Sequence, residues 1–113
     1  MKLNIQKLLD HAEEGYQIPW RKKDGGIDLF AKSFCGDTLL HVAVGRGNLK
    51  EVKYLLEQGL DINARGDLCE TPLFLAASSG NDSIVNLLLR SGADSSIPDH
   101  LGTLPKLNPR ANQ

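Results

Sequence analysis

Thr38-Leu39-Leu40-His41-Val42-Ala43-Val44-Gly45-Arg46-Gly47-Asn48 is answered, 33 residues further on, by Thr71-Pro72-Leu73-Phe74-Leu75-Ala76-Ala77-Ser78-Ser79-Gly80-Asn81. The match continues through Val52/Val85, Leu55/Leu88, Leu56/Leu89, Gly59/Gly92 and Asp61/Asp94. Ten of the 25 positions from 38 to 62 are identical at this shift, so composition alone does not explain it. A fixed period of this length is the signature of a stacked-repeat architecture.

Each copy reads as helix, turn, helix, loop. Thr38 and Thr71 can each cap a first helix by accepting a bond from a free backbone N–H. Pro72 sits at the first helical position, where its missing N–H costs nothing. Gly47 and Gly80 end the first helix with the positive φ such a stop requires. The second helices place Leu49, Val52, Leu55 and Leu56, then Ile84, Val85, Leu87, Leu88 and Leu89, on one face. Gly59 and Gly92 close them. The following Leu60-Asp61-Ile62-Asn63 alternates and predicts an extended arm leading into a turn.

These residues resemble the ankyrin repeat. The first copy carries Gly36-Asp37-Thr38-Leu39-Leu40-His41-Val42-Ala43, Gly47-Asn48 and Gly59-Leu60-Asp61-Ile62-Asn63-Ala64, and the second carries Thr71-Pro72-Leu73 and Gly92-Ala93-Asp94. The resemblance implies an all-α chain: a short ankyrin-repeat solenoid of stacked helix-turn-helix units joined by extended turn or β-hairpin loops. One domain is expected over 1–107. It divides into an N-terminal capping helix (1–15, with Leu3, Ile5, Leu8, Leu9 and Ala12 as its stripe, ending near Gly15), an inserted loop (16–25) and a first full repeat with its preceding arm (26–64). A second full repeat (65–97), a truncated third (98–107) and a tail (108–113) complete it. Departures from the pattern are Leu39 for the signature proline, Phe74 for the signature histidine and Cys69 for the turn glycine. In the family the histidine, here His41, is buried and bonds neighbouring turns.

Composition narrows the function. The chain has 113 residues, a formal charge of −1 and 24% charged residues, which fits one small folded domain and argues against bulk-charge binding of nucleic acid or membrane. No apolar run approaches a membrane span or a signal peptide's core. Cys35 and Cys69 read as free thiols of a reducing, cytoplasmic compartment. Neither a nucleophile elbow, a phosphate loop, a Cys-x-x-Cys nor a His-Glu-x-x-His motif is present. Neither His11 nor His100 has a partner at metal-ligand spacing. The expectation is a non-catalytic chain without cofactor or metal.

Function is then expected in protein binding, as the resemblance implies, on a concave surface of turn tips and outer first-helix positions. Carried over residue by residue, that surface holds Phe34, Cys35, Asp37, Gly45 and Arg46, then Asp67, Leu68, Glu70, Ser78 and Ser79, then His100, Leu101 and Thr103. The apolar tips Phe34, Leu68 and Leu101 either meet a partner or pack on one another. In the inserted loop, Tyr16, Trp20 and Arg21 are residue types that anchor interfaces; alternatively Trp20 folds back and plugs the end of the stack. The partner is a protein, with no nucleic acid and no membrane. An inhibitor or immunity-type protein that blocks a toxin or enzyme is one specific form, since the acidic tips suit a basic target. The alternative is a structural or oligomeric subunit that self-stacks through the uncovered face of the second repeat, the chain otherwise being a monomer or weakly self-associating.

Overall fold

The computed structural model describes residues 3–107; the first two residues of the expected capping segment and the tail expected over 108–113 lie outside them. The described residues form five α-helices: α1 (Gln6–Tyr16), α2 (Leu39–Gly45), α3 (Leu49–Glu57), α4 (Pro72–Ser78) and α5 (Asp82–Arg90). Helices α2 and α3 make one antiparallel pair and α4 and α5 the next, with α2 packed on α4 and α3 on α5. The second pair thus repeats the first, displaced along the stack, and α1 packs against α2 at the other end.

The local signals act where the sequence puts them. The Thr38 and Thr71 hydroxyls accept from the N–H groups of His41 and Phe74, and the Asn48 and Asn81 side chains accept from Glu51 and Ile84 N–H. Each of the four repeat helices therefore has one of its orphan donors satisfied by its own cap. Gly47 and Gly80 turn the chain between paired helices at φ 68° and 72°, one residue beyond the helix C-cap.

One core runs through both pairs. Leu39, Leu40, Val42, Ala43, Val52 and Leu55 of the first pair are fully buried, as are Leu73, Ala76, Ile84 and Leu88 of the second. Leu8, Leu9 and Ala12 of α1 join it. Because no residue in this core exceeds Leu in size except Trp20, close packing follows from short aliphatic side chains and alanines at the helix–helix contacts.

Three details differ from the sequence reading. Helix α1 starts at Gln6, leaving Leu3 more than a third exposed, and runs past Gly15 to Tyr16. Gln17 ends it in the left-handed conformation (φ 56°), with Ile18 N–H donating back to the Ala12 carbonyl. The arm expected over Leu60–Asn63 is a turn instead: the Asp61 carboxylate accepts from Asn63 N–H at 2.9 Å. Asp28 and Asp94, each 33 residues away, make the same turn with Phe30 and Ser96 N–H. A short Asx side chain offers the backbone this local partner in place of a strand ladder. Finally, the loops contain no strand among the described residues; the only pairing is an isolated antiparallel bridge between Arg21 and Ile27.

That bridge organises the inserted loop. Lys22 N–H donates to the Gly26 carbonyl at 2.9 Å, and Gly25 supplies the positive φ of the turn. The loop thereby brings Ile18 and Trp20 inward, 1% and 5% exposed. Trp20 Nε1–H donates to the Leu9 carbonyl at 2.9 Å, so the ring's one polar atom is satisfied inside the core. No helix among the described residues is long and apolar enough to cross a membrane.

Candidate interaction surface

Three turns precede or follow the helix pairs at 33-residue intervals: Ser33–Asp37, Gly66–Glu70 and Asp99–Thr103. All three close in the same way. The first residue's N–H donates to the fifth residue's carbonyl at 2.9 Å in each. In the outer two turns the first residue's side chain also supports the loop. Ser33 Oγ accepts from Cys35 and Asp37 N–H, and Asp99 Oδ1 accepts from Leu101 and Thr103 N–H.

The middle turn cannot use that device, because its first residue is Gly66. A Cβ there would run into the Asp37 carboxylate and sit 2.9 Å from His41 Nε2. The close approach lets Asp37 Oδ1 accept from Asp67 N–H at 3.1 Å and lets His41 Nε2 reach the Glu70 carbonyl at 2.9 Å. Thr38 N–H donates to His41 Nδ1 at 3.0 Å, so the proton sits on Nε2, which donates onward to Glu70. Burial holds the imidazole below its ordinary pKa. The third turn is tied to the second differently: His100 N–H donates to the Leu68 carbonyl at 3.0 Å and Arg65 reaches the Pro98 carbonyl at 2.9 Å.

This bracing leaves the tips pointing outward. Phe34 is 91% exposed, Leu68 51% and Leu101 76%. The three tips therefore do not bury one another. Acidic groups flank them. Asp37 and Glu70 are half-buried, Asp67 is exposed and Asp99 is buried in its turn. Burial, then Asp99 and Asp67, push the Glu70 carboxyl above its ordinary pKa, a sign that these carboxylates share one region. Where α1 ends, a cavity of about 260 Å3 opens between Tyr16 and the first two turns, lined also by Ser33, Phe34, Cys35, Asp37 and Asp67.

The other expected contacts divide. Ser78 and Ser79 are exposed at the end of α4, and His100 is exposed at its tip. Gly45 is exposed at the end of α2, yet a Cβ there would meet the Tyr16 hydroxyl at 3.1 Å. Tyr16 itself is half-buried, with its ring tilted against His11. Arg46 is committed inward: its guanidinium pairs with Glu51 at 2.9 Å, and that carboxylate's side chain is only 3% exposed. Trp20, expected as a candidate contact, instead donates its Nε1–H to the Leu9 carbonyl and lies in the core. Arg21 lies outside it, 4.4 Å over the Trp20 ring and 3.0 Å from Glu13.

Two features escaped the sequence reading. Glu51 aligns with Ile84 and carries no motif; only the preceding Arg46 hinted at a pair. Leu56, Leu60, Ile62 and Leu87 line a second cavity of about 400 Å3 beside α3 and α5. The alternation at 60–63 was its one trace. Among the described residues no group of three His, Cys, Asp or Glu side chains could hold a metal ion.

Comparison with known proteins adds one finding. A family model described as ankyrin repeats, three copies, matches residues 4–99. No curated protein matches the chain.

Proposed function

The chain belongs to the ankyrin-repeat family, and from that premise we propose that its row of three turn tips is the surface that holds a protein partner. Ankyrin repeats are protein-interaction modules. The observation that carries this placement is the exposure of Phe34, Leu68 and Leu101 on three successive turns braced to one another. Apolar side chains presented on a rigid edge lose little conformational freedom on binding, and flanking carboxylates select among partners. Ser78 and Ser79 extend the proposed surface along the end of α4.

Affinity capture with the full chain, run beside the triple variant Phe34→Ser, Leu68→Ser, Leu101→Ser, tests the reading. A partner held by the parent and lost by the folded variant supports it. Equal capture by both places binding elsewhere. If the captured partner is an enzyme or toxin, its activity with and without the chain separates an inhibitor or immunity-type role from simple tethering. Fractionation of the cells that make the protein tests the cytoplasmic location.

A further inference from the structure

The cavity beside Phe34 suggests which partner chemistry the surface takes. It sits between the end of α1 and the first two turns, with residues from all three in its lining. Its lining holds two carboxylates, Asp37 and Asp67, and no Lys, Arg or His among the described residues. Phe34 stands at its lip, 91% exposed, and packs on nothing that explains an aromatic there. Asp37 uses Oδ1 to accept from Asp67 N–H, which fixes both residues side by side. The second carboxylate is exposed, and its backbone is the only part of it that this contact uses.

The surrounding groups register the negative field. Burial first, then Asp37, pushes the Tyr16 hydroxyl above its ordinary pKa. Partial desolvation, then Asp67 and Asp37, raises the Cys35 thiol. The lining itself carries no cation, and Lys32, the residue before the lining Ser33, is exposed outside it. Arg46 pairs with Glu51, Arg65 binds the Pro98 carbonyl, and Arg21 pairs with Glu13.

We infer that this cavity is an anchor site for an arginine side chain of the partner. The inference rests on the turn-tip surface being the binding face. A guanidinium is planar: one face stacks on the Phe34 ring while its edge donates to the Asp37 and Asp67 oxygens. An ammonium can also sit over the ring, but it lacks the planar edge that donates to both carboxylates at once, and an acidic or purely apolar segment would leave both carboxylates unpaired. The rim of the wider surface, with Glu70 and Asp99 beyond Asp67, favours a basic segment running along the tips.

The test uses the full chain, isotope-labelled, titrated with N-acetyl-arginine amide and, separately, with the near-isosteric neutral N-acetyl-citrulline amide. Saturable amide shifts at Phe34, Cys35, Asp37 and Asp67 with the arginine probe alone support the site. Phe34→Ala should weaken that binding roughly two- to fivefold. Asp37→Asn combined with Asp67→Asn should weaken it about tenfold, while the retained Asn oxygen can still accept from the residue 67 N–H. Unmoved amides of Leu40 and Leu73 check that each variant is folded. Equal shifts with both probes, or none with either, overturn the arginine site. That outcome leaves the turn-tip reading standing if the triple tip variant still loses its captured partner, so the two failures are distinguishable.

Discussion

The two helix pairs share a pattern and differ in what surrounds it. In the first pair, α2 lies between α1 and α4, and every side chain from Leu39 to Val44 is at most 2% exposed. In the second pair, the equivalent Phe74, Leu75 and Ala77 of α4 are half-buried. Position by position, the first pair places polar groups in its interior and the second does not. At the 33-residue shift His41 corresponds to Phe74, and Arg46 and Glu51 correspond to Ser79 and Ile84. A helix covered on both sides must satisfy any polar group it buries, whereas a half-open one can leave the task to water. The interior pair therefore carries the interactions that hold its neighbours in register.

The sharpest break of this comparison is Arg46→Ser, which copies the second pair at one position only. It strands the Glu51 carboxylate, whose side chain is 3% exposed, with no guanidinium beside it. We expect a loss of about 3 kcal/mol in urea unfolding. Adding Glu51→Ile completes the copy, since Ile84 is itself fully buried at the equivalent place. The double variant should return to within about 1 kcal/mol of the parent. If Arg46→Ser alone costs nothing, the pair is ornamental and the contrast between the two helix pairs loses its energetic content.

His41→Phe is the next largest. It removes the acceptor for Thr38 N–H in a buried setting and the donor to the Glu70 carbonyl in a partly buried one. The expected cost is about 2 kcal/mol. The reverse change, Phe74→His, should be worth less than about 1 kcal/mol, because the half-buried ring of α4 has no such partners to satisfy.

His41 also predicts a pH dependence of known sign. Its folded-state pKa is lowered by burial, so the unfolded chain binds the proton that the folded chain refuses. Stability is then flat above the ordinary histidine value of about 6.5 and falls as the pH drops below it. Thermal unfolding at pH 7.5 and 5.5 should show this fall, and His41→Phe should remove part of it. An unchanged difference between the two pH values in the variant would refute the assignment.

Most of the architecture was legible in the sequence because repeats report on themselves twice. Thr38 and Thr71, Asn48 and Asn81, Gly47 and Gly80 each carry a local mechanism that needs no distant partner, and the 33-residue shift sets them in register. What was illegible depends on residues meeting across units. Nothing near Trp20 says that Leu9 offers it a carbonyl, and nothing near Gly66 says that Asp37 and His41 lie over it. The exposed tips were legible as candidates, since their offset from the cap threonine is fixed. Whether they covered one another was a question of spacing between turns, which the sequence does not encode locally. The same holds for Asp61: the alternation at 60–63 imitates a strand and hides the turn that Asp61 shares with Asp28 and Asp94.

The smallest expected effect compares the turns rather than the helices. Gly36 and Gly102 occupy the fourth position of the outer turns at φ 93° and 81°, and the middle turn has Cys69 there at φ 60°. Leu68 beside it is also left-handed, at φ 55°. A residue with a Cβ pays about 1–2 kcal/mol for that conformation. Glycine escapes the strain but gives the unfolded chain more freedom, which returns about 0.4–1 kcal/mol. Cys69→Gly should therefore stabilise the protein by about 0.5–1 kcal/mol, read as a higher urea midpoint at unchanged slope. The Arg65 contact to the residue 69 carbonyl is a backbone contact and survives the change. A loss of stability would mean that the Cys69 side chain contributes packing worth more than its strain.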